Sequence, residues 1–170
     1  RNCFPALFRV INKYKPKYIC IENVPGLLNC SYQPGSNRRY FGFILQQLST
    51  SGYDAEWQII SSGHFASPFD RKRLLLVAST DSNVYKIQPS PWIEQIREFL
   101  EKEQINQQRR GIKPGYPLSV VRNPDNLARP LGVPNRNPNI RRQREAAGNI
   151  LAPDIAAIAL KRIKYLESCT

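Results

Sequence analysis

The sequence predicts an α/β fold, and three observations predict it. Apolar residues recur at helical spacing in some segments and as short β-branched runs in others, Pro and Gly mark the changeovers, and the elements follow the order helix, strand, helix, strand, strand, helices. That order suits the later half of an α/β sheet. The first helix is set by Phe4, Leu7, Phe8 and Ile11 and is closed by Lys13-Tyr14-Lys15-Pro16. Tyr18-Ile19-Cys20-Ile21-Glu22 then reads as a buried strand, ending in Asn23-Val24 and a Pro25-Gly26 turn. After a Gly/Asn/Ser-rich loop over 26–37, Tyr40, Phe41, Ile44, Leu45 and Leu48 mark a second amphipathic helix that Ser51-Gly52 ends. Strands are expected around 54–61 and over 73–78, close enough in sequence to pair. Ser90-Pro91 opens a third helix with Trp92, Ile93, Ile96, Phe99 and Leu100 on one face. A final helix runs from about Pro153 to Leu166, its stripe formed by Ile155, Ile158, Ala159, Arg162 and Ile163.

At 170 residues the chain has the length of one domain. It contains no methionine and starts with a helical pattern already under way, so we read it as a fragment or a processed piece. No apolar run approaches the roughly 20 residues of a membrane span, and no charged-then-apolar leader precedes the first helix. A cytoplasmic protein is the expectation. Cys3, Cys20, Cys30 and Cys169 form no CxxC pair and no metal-ligand spacing, so free thiols and no metal site are expected.

The formal charge of +12 and pI near 9.9 point to a polyanionic partner, most often nucleic acid. Much of the excess lies between Gln108 and Arg144, where Arg109, Arg110, Lys113, Arg122, Arg129, Arg136, Arg141, Arg142 and Arg144 face Asp125 alone. Prolines break the same stretch, so it reads as a loop that tracks phosphates or as a linker.

Three segments could carry chemistry. Glu22 stands at the carboxyl tip of the first strand, where open α/β sheets place ligands, although a strand-terminal Glu is more often solvated or salt-bridged. Ser61 to Arg73 leads into an apolar strand, and Arg71 and Arg73 are assigned to opposite faces of it, one toward a site and one toward the surface or a phosphate. Gly148-Asn149 precedes the Pro153 helix, with Gly permitting close backbone approach and Asn offering a donor and an acceptor.

In this order the three resemble the DNA cytosine-5 methyltransferases. Glu22-Asn23-Val24, with its preceding lysine-proline and strand, is similar to that family's Glu-Asn-Val motif. Pro68 to Arg73 is similar to its Gln-x-Arg-x-Arg motif, with Phe69 where the family has Gln, and Gly148-Asn149 with the final helix is similar to its closing Gly-Asn motif. Gly132-Val133-Pro134-Asn135-Arg136 resembles a segment of small, phage-type members.

The resemblance implies the C-terminal part of a Rossmann-like, S-adenosylmethionine-dependent methyltransferase sheet, with a short basic loop-rich segment before a final helix. Residues 1–80 would be the later half of the catalytic domain, 81–140 a short recognition or linker segment, and 141–170 a helix returning to the catalytic domain. Glu22 would contact N3 and the exocyclic amine of a flipped cytosine, Arg73 its O2, and Arg71 the backbone or neighbouring groups. Asn149 would lie near S-adenosylmethionine. Arg109, Arg110, Arg136, Arg141 and Arg142 would contact double-stranded DNA.

The family's Pro-Cys nucleophile and its Gly-rich cofactor turn, both upstream of Glu-Asn-Val, are not in this sequence. Neither Cys3 nor Cys20 has the Pro-Cys context, so the isolated chain is expected to be inactive. The helices at 3–13 and 37–51 would then leave apolar patches uncovered, and poor solubility is expected. The alternatives are an inert basic nucleic-acid-binding module and an RNA cytosine-5 methyltransferase.

Overall fold

A strand that is apolar on both faces must lie between two layers, and one segment of this chain meets that condition. In Leu74-Leu75-Leu76-Val77-Ala78 every side chain is buried, each large one contributing about 1.5–3 kcal/mol for full burial. The computed structural model describes residues 2–65, 71–81, 90–109 and 153–169. Among these, β1 (Tyr18–Asn23), β2 (Asp54–Ser61) and β3 (Lys72–Ser79) form a three-stranded sheet in the order β1-β3-β2. Both pairings are antiparallel, and Leu75 stands opposite Glu22 on one side and Gln58 on the other.

Because side chains alternate along a strand, β3 sends Leu74, Leu76 and Ala78 to one face and Leu75 and Val77 to the other. The first face is covered by α1 (Phe4–Tyr14) and α2 (Tyr40–Thr50), whose Phe8, Ile11, Phe41, Ile44 and Leu48 pack with Ile19 of β1. The second is covered by α3 (Trp92–Arg109) and α4 (Pro153–Ser168), which contribute Trp92, Ile96, Ile155, Ile158, Ala159 and Leu166. The described residues therefore form a mixed α/β structure with helices on both faces of a small sheet.

Helix ends follow the local chemistry. Lys15 adopts a left-handed conformation (φ 44°) and its N–H donates to the carbonyl of Ile11 at 2.8 Å, after which Pro16 prevents another turn. Gly52 (φ 86°) ends α2, and the Tyr53 N–H bonds back to Leu48 at 3.0 Å. The Tyr53 hydroxyl donates to the Pro16 carbonyl at 2.6 Å, joining the two helix exits.

The expected elements form, and the strands around 54–61 and 73–78 are neighbours as anticipated. Four expectations are corrected. β1, expected to be buried, has only Ile19 buried, and among the described residues β3 is its one strand neighbour. The third helix continues through Gln108 to Arg109, since Glu101 to Arg109 is rich in good helix formers and contains neither Gly nor Pro. Ile93 is exposed, lying about 100° round that helix from Trp92 and outside the stripe of Trp92, Ile96 and Phe99. The uncovered apolar patch expected on both of the first two helices is corrected for α2 alone, which lays its apolar face on the sheet, while α1 exposes Val10 and Tyr14 as expected. Among the described residues no helix is long and apolar enough to cross a membrane.

Candidate active site

The antiparallel pairing places the amino end of β3 beside the carboxyl end of β1. Glu22 lies opposite Leu75, and Arg73, two residues earlier in β3, projects from the same face as Leu75 and Glu22. The Arg73 Nε meets the Glu22 carboxylate at 2.5 Å. The Arg73 side chain is 9% exposed and that of Glu22 30% exposed, so the arginine is enclosed while the carboxylate keeps an open side. Arg73 also donates to the Lys72 carbonyl at 3.1 Å.

Arg71 precedes the strand. Its backbone is held by a reciprocal pair of bonds to Ser62: the Ser62 N–H donates to the Arg71 carbonyl, and the Arg71 N–H to the Ser62 hydroxyl oxygen, each at 3.0 Å. Ser62 opens a short 3-10 helix (Ser62–Phe65), and the Gly63 N–H donates to the Ser61 hydroxyl at 3.0 Å. Burial pushes the Arg71 guanidinium below its usual range, the neighbouring charge of Arg73 pushes it further, and Glu22 acts in the opposite direction. Arg71 is thus within electrostatic reach of both partners. The assignment of Arg71 and Arg73 to opposite faces is corrected here, because residues two apart in an extended chain point the same way.

Asn23 has a local role. Its side-chain oxygen accepts the Val24 N–H at 2.8 Å, turning the chain out of β1 into a second 3-10 helix (Pro25–Leu28). Cys20 lies two residues before Glu22 and so on the same face of β1. Cys20 is exposed at the surface of β1, yet partial desolvation by neighbouring groups, and secondarily the Glu22 charge, push its thiol above the ordinary range. A thiol so placed is a poor source of thiolate. All four cysteines are free, and Cys3 is exposed at the start of α1.

Of the residues singled out from sequence, Glu22, Arg71 and Arg73 come together, and Arg109 is exposed at the end of α3. Arg110, Arg136, Arg141, Arg142 and Asn149 lie outside the described residues, as does Pro68 to Asp70. Sequence reasoning missed the Ser62 clamp, for which the adjacent Ser61-Ser62-Gly63 was the available sign. It also placed Arg162 in an apolar stripe without assigning its charge. In the structure Arg162 is fully enclosed and bonds both oxygens of Glu56 (2.6 and 3.1 Å), the Gln95 side chain (2.7 Å) and the Ser90 carbonyl (3.1 Å).

Fold and geometry define the class: a mixed α/β protein with an acid and basic groups gathered at one end of its sheet. Comparison with known proteins gives the family. A family model described as C-5 cytosine-specific DNA methylase matches residues 1–145, and the chain belongs to that family. It is similar to the type II methyltransferase M.MspI of Moraxella sp, 31% identical over 102 residues, which are 59% of this chain and 23% of that protein. It is also similar to M.NgoBV of Neisseria gonorrhoeae, 30% identical over 95 residues (53% and 22%). M.Sau3AI of Staphylococcus aureus is 34% identical over 74 residues (43% and 17%). The chain thus spans less than a quarter of the length of these relatives.

Proposed function

We propose that this chain supplies the base-activating part of a DNA cytosine-5 methyltransferase, acting on a cytosine flipped out of double-stranded DNA. Attack of a thiolate at C6 drives negative charge into the ring toward N3, and a carboxyl group hydrogen-bonded to N3 and the exocyclic amine stabilises it. Glu22 takes that role, Arg73 holds the base through O2, and Arg71 contacts the backbone or neighbouring groups. The observation that carries this reading is the Glu22–Arg73 contact, which joins two motifs distant in sequence at one point with the carboxylate open on one side. Cys20 shares the face of Glu22 but sits inside β1 without the Pro-Cys context of the family's nucleophile, so that role is not assigned to it.

In this reading the sheet is the later part of a Rossmann-like domain comprising residues 1–80. Residues 81–140 are a recognition or linker segment, and 141–170 return to the catalytic domain. S-adenosylmethionine supplies the methyl group when bound. One cavity among the described residues, between α3 and α4 and lined by Trp92, Gln95, Ile96, Phe99, Ile158 and Arg162, measures about 30 Å³, room for about one water and too small for that cofactor. Asn149, assigned to that cofactor, and Arg110, Arg136, Arg141 and Arg142, assigned with Arg109 to DNA phosphates, remain part of the proposal, as does a cytoplasmic location.

The test is Glu22→Gln in the intact protein that carries this chain, with labelled methyl incorporation into duplex DNA as the readout. The amide oxygen still accepts from Arg73, so the fold is kept while the ionisable group is lost. A fall in rate of about 10²–10³-fold is expected, the scale of removing one preorganised charge-stabilising group. Transfer at the parent rate refutes the role of Glu22.

A further inference from the structure

From Asn23 to Tyr53 the chain contains no acidic residue, and from its start to Tyr53 the only one is Glu22, which faces Arg73. Over the same span the basic residues include Arg9, Lys13, Lys15, Lys17, Arg38 and Arg39. Arg38 and Arg39 sit on a turn built from the carboxyl end of β1. The 3-10 helix Pro25–Leu28 follows Glu22-Asn23-Val24 directly and touches both β3 and α2. The chain then leaves at Asn29 and returns through a bridge between Ser31 and Arg39 to start α2 at Tyr40. The turn thus emerges from the end of the sheet that holds Glu22, Arg71 and Arg73.

The turn is well braced. The Tyr32 N–H donates to the Arg38 carbonyl and the Tyr40 N–H to the Cys30 carbonyl, both at 2.8 Å. Tyr32 stacks on Tyr40 with centroids 5.9 Å apart and packs against Phe43 at 4.9 Å, while Asn2 donates to the Tyr40 hydroxyl at 2.6 Å. On this scaffold both guanidinium groups are oriented by neutral acceptors. Arg38 donates to the Gln46 side chain at 2.6 Å and lies over the Tyr32 ring at 6.0 Å, and Arg39 donates to the Asn29 carbonyl at 2.7 Å. Both residues are exposed, and among the described ion pairs neither has a carboxylate partner. Each retains most of its donors and its full charge, the state of an arginine prepared for a phosphate oxygen.

We propose that the Asn29–Arg39 turn is a phosphate-gripping site of this protein, with Arg38 and Arg39 contacting the sugar-phosphate backbone of the duplex whose base enters at Glu22. The identity of that ligand rests on the function proposed above. Such contacts hold the duplex in register over the site without reading its sequence.

The experiment measures the dissociation constant of the intact protein for a duplex oligonucleotide across a salt series, for the parent, for Arg38→Gln/Arg39→Gln and for Arg38→Lys/Arg39→Lys. Loss of two phosphate contacts makes the slope of log affinity against log salt shallower by about 2 in the Gln variant, while the Lys variant keeps the parent slope. An unchanged slope in the Gln variant, a weakening of equal size at every salt concentration, or a Lys variant that loses as much as the Gln variant overturns the proposal. The last would mean that the shape of the turn matters and its charge does not. Methyl incorporation by Glu22→Gln separates this inference from the reading beneath it. Lost transfer with an unchanged Arg38/Arg39 slope sinks the grip alone, and retained transfer with a shallower slope keeps the grip and sinks the catalytic role.

Discussion

Replacing Arg162 by Met should cost more stability than any single apolar truncation on the exposed faces of this structure. The Arg162 side chain is 0% exposed and satisfies both oxygens of Glu56, the Gln95 side chain and the Ser90 carbonyl, tying α4 to β2 and to the start of α3. Removing it leaves Glu56, 21% exposed, beneath two helices without its counter-charge. Breaking a buried pair from one side costs about 3–5 kcal/mol. Met refills much of the volume and the residual exposure lets water reach Glu56, so the lower end, about 3 kcal/mol, is expected. With a urea m value of about 2 kcal/mol/M, the midpoint falls by roughly 1.5 M at unchanged m. Adding Glu56→Gln removes the stranded charge and should recover about 1 kcal/mol or more, a coupling that independent sites would not show. A loss below about 1 kcal/mol for Arg162→Met, or no recovery in the double variant, would refute the view that this network fixes the final helix.

Two further outcomes are expected. Cys20 is exposed, but desolvation and then Glu22 raise its thiol, so its thiolate fraction at mildly alkaline pH is lower than that of free cysteine and its alkylation slower. Mass spectrometry of protein treated with iodoacetamide checks this, and modification of Cys20 as fast as free cysteine counts against it. At Lys15, held at φ 44°, substitution by Gly removes a left-handed strain and should stabilise the protein by up to about 1 kcal/mol, read as a rise in the thermal midpoint.

The alternation of apolar periods made the elements legible, because each segment has one strongly apolar face or, in β3, two. Ser51-Gly52 and Lys15-Pro16 made the ends of α2 and α1 legible through backbone conformations those residues favour or forbid. Strand direction was not legible. Nothing in Tyr18–Asn23 says whether its neighbour runs with it or against it, and that choice decides which residue of β3 meets Glu22. The role of Arg162 was hidden for a related reason. Its place in the stripe was plain, but an arginine belongs in a buried stripe only if a carboxylate waits across the interface, and Glu56 lies more than a hundred positions away. Arg38 and Arg39 were passed over as the first residues of the helix expected over 37–51, which in the structure starts only at Tyr40, and their significance comes from the carboxylates missing around them as much as from the arginines themselves.

Arg73 and Arg162 show how one sheet face can give two arginines opposite uses. Both are enclosed and both meet a glutamate, yet their surroundings differ in what an incoming ligand could exchange. Arg162 is bonded to two carboxylate oxygens, an amide oxygen and a backbone carbonyl, and helices close over it on both sides. Displacing any of these partners would strand a buried polar group, so this arginine serves the fold. Arg73 stands at the sheet end, and the glutamate it meets is 30% exposed. A ligand offering a donor to Glu22 and an acceptor to Arg73 can replace part of that contact without leaving either charge unsatisfied, since each regains a partner as it gives one up. One edge of a cytosine carries the exocyclic amine as that donor and O2 as that acceptor; N3 between them is itself an acceptor and bonds Glu22 only through a proton held between the two. The same pairing that keeps both charges satisfied in the structure is therefore the one that fits the base proposed as ligand.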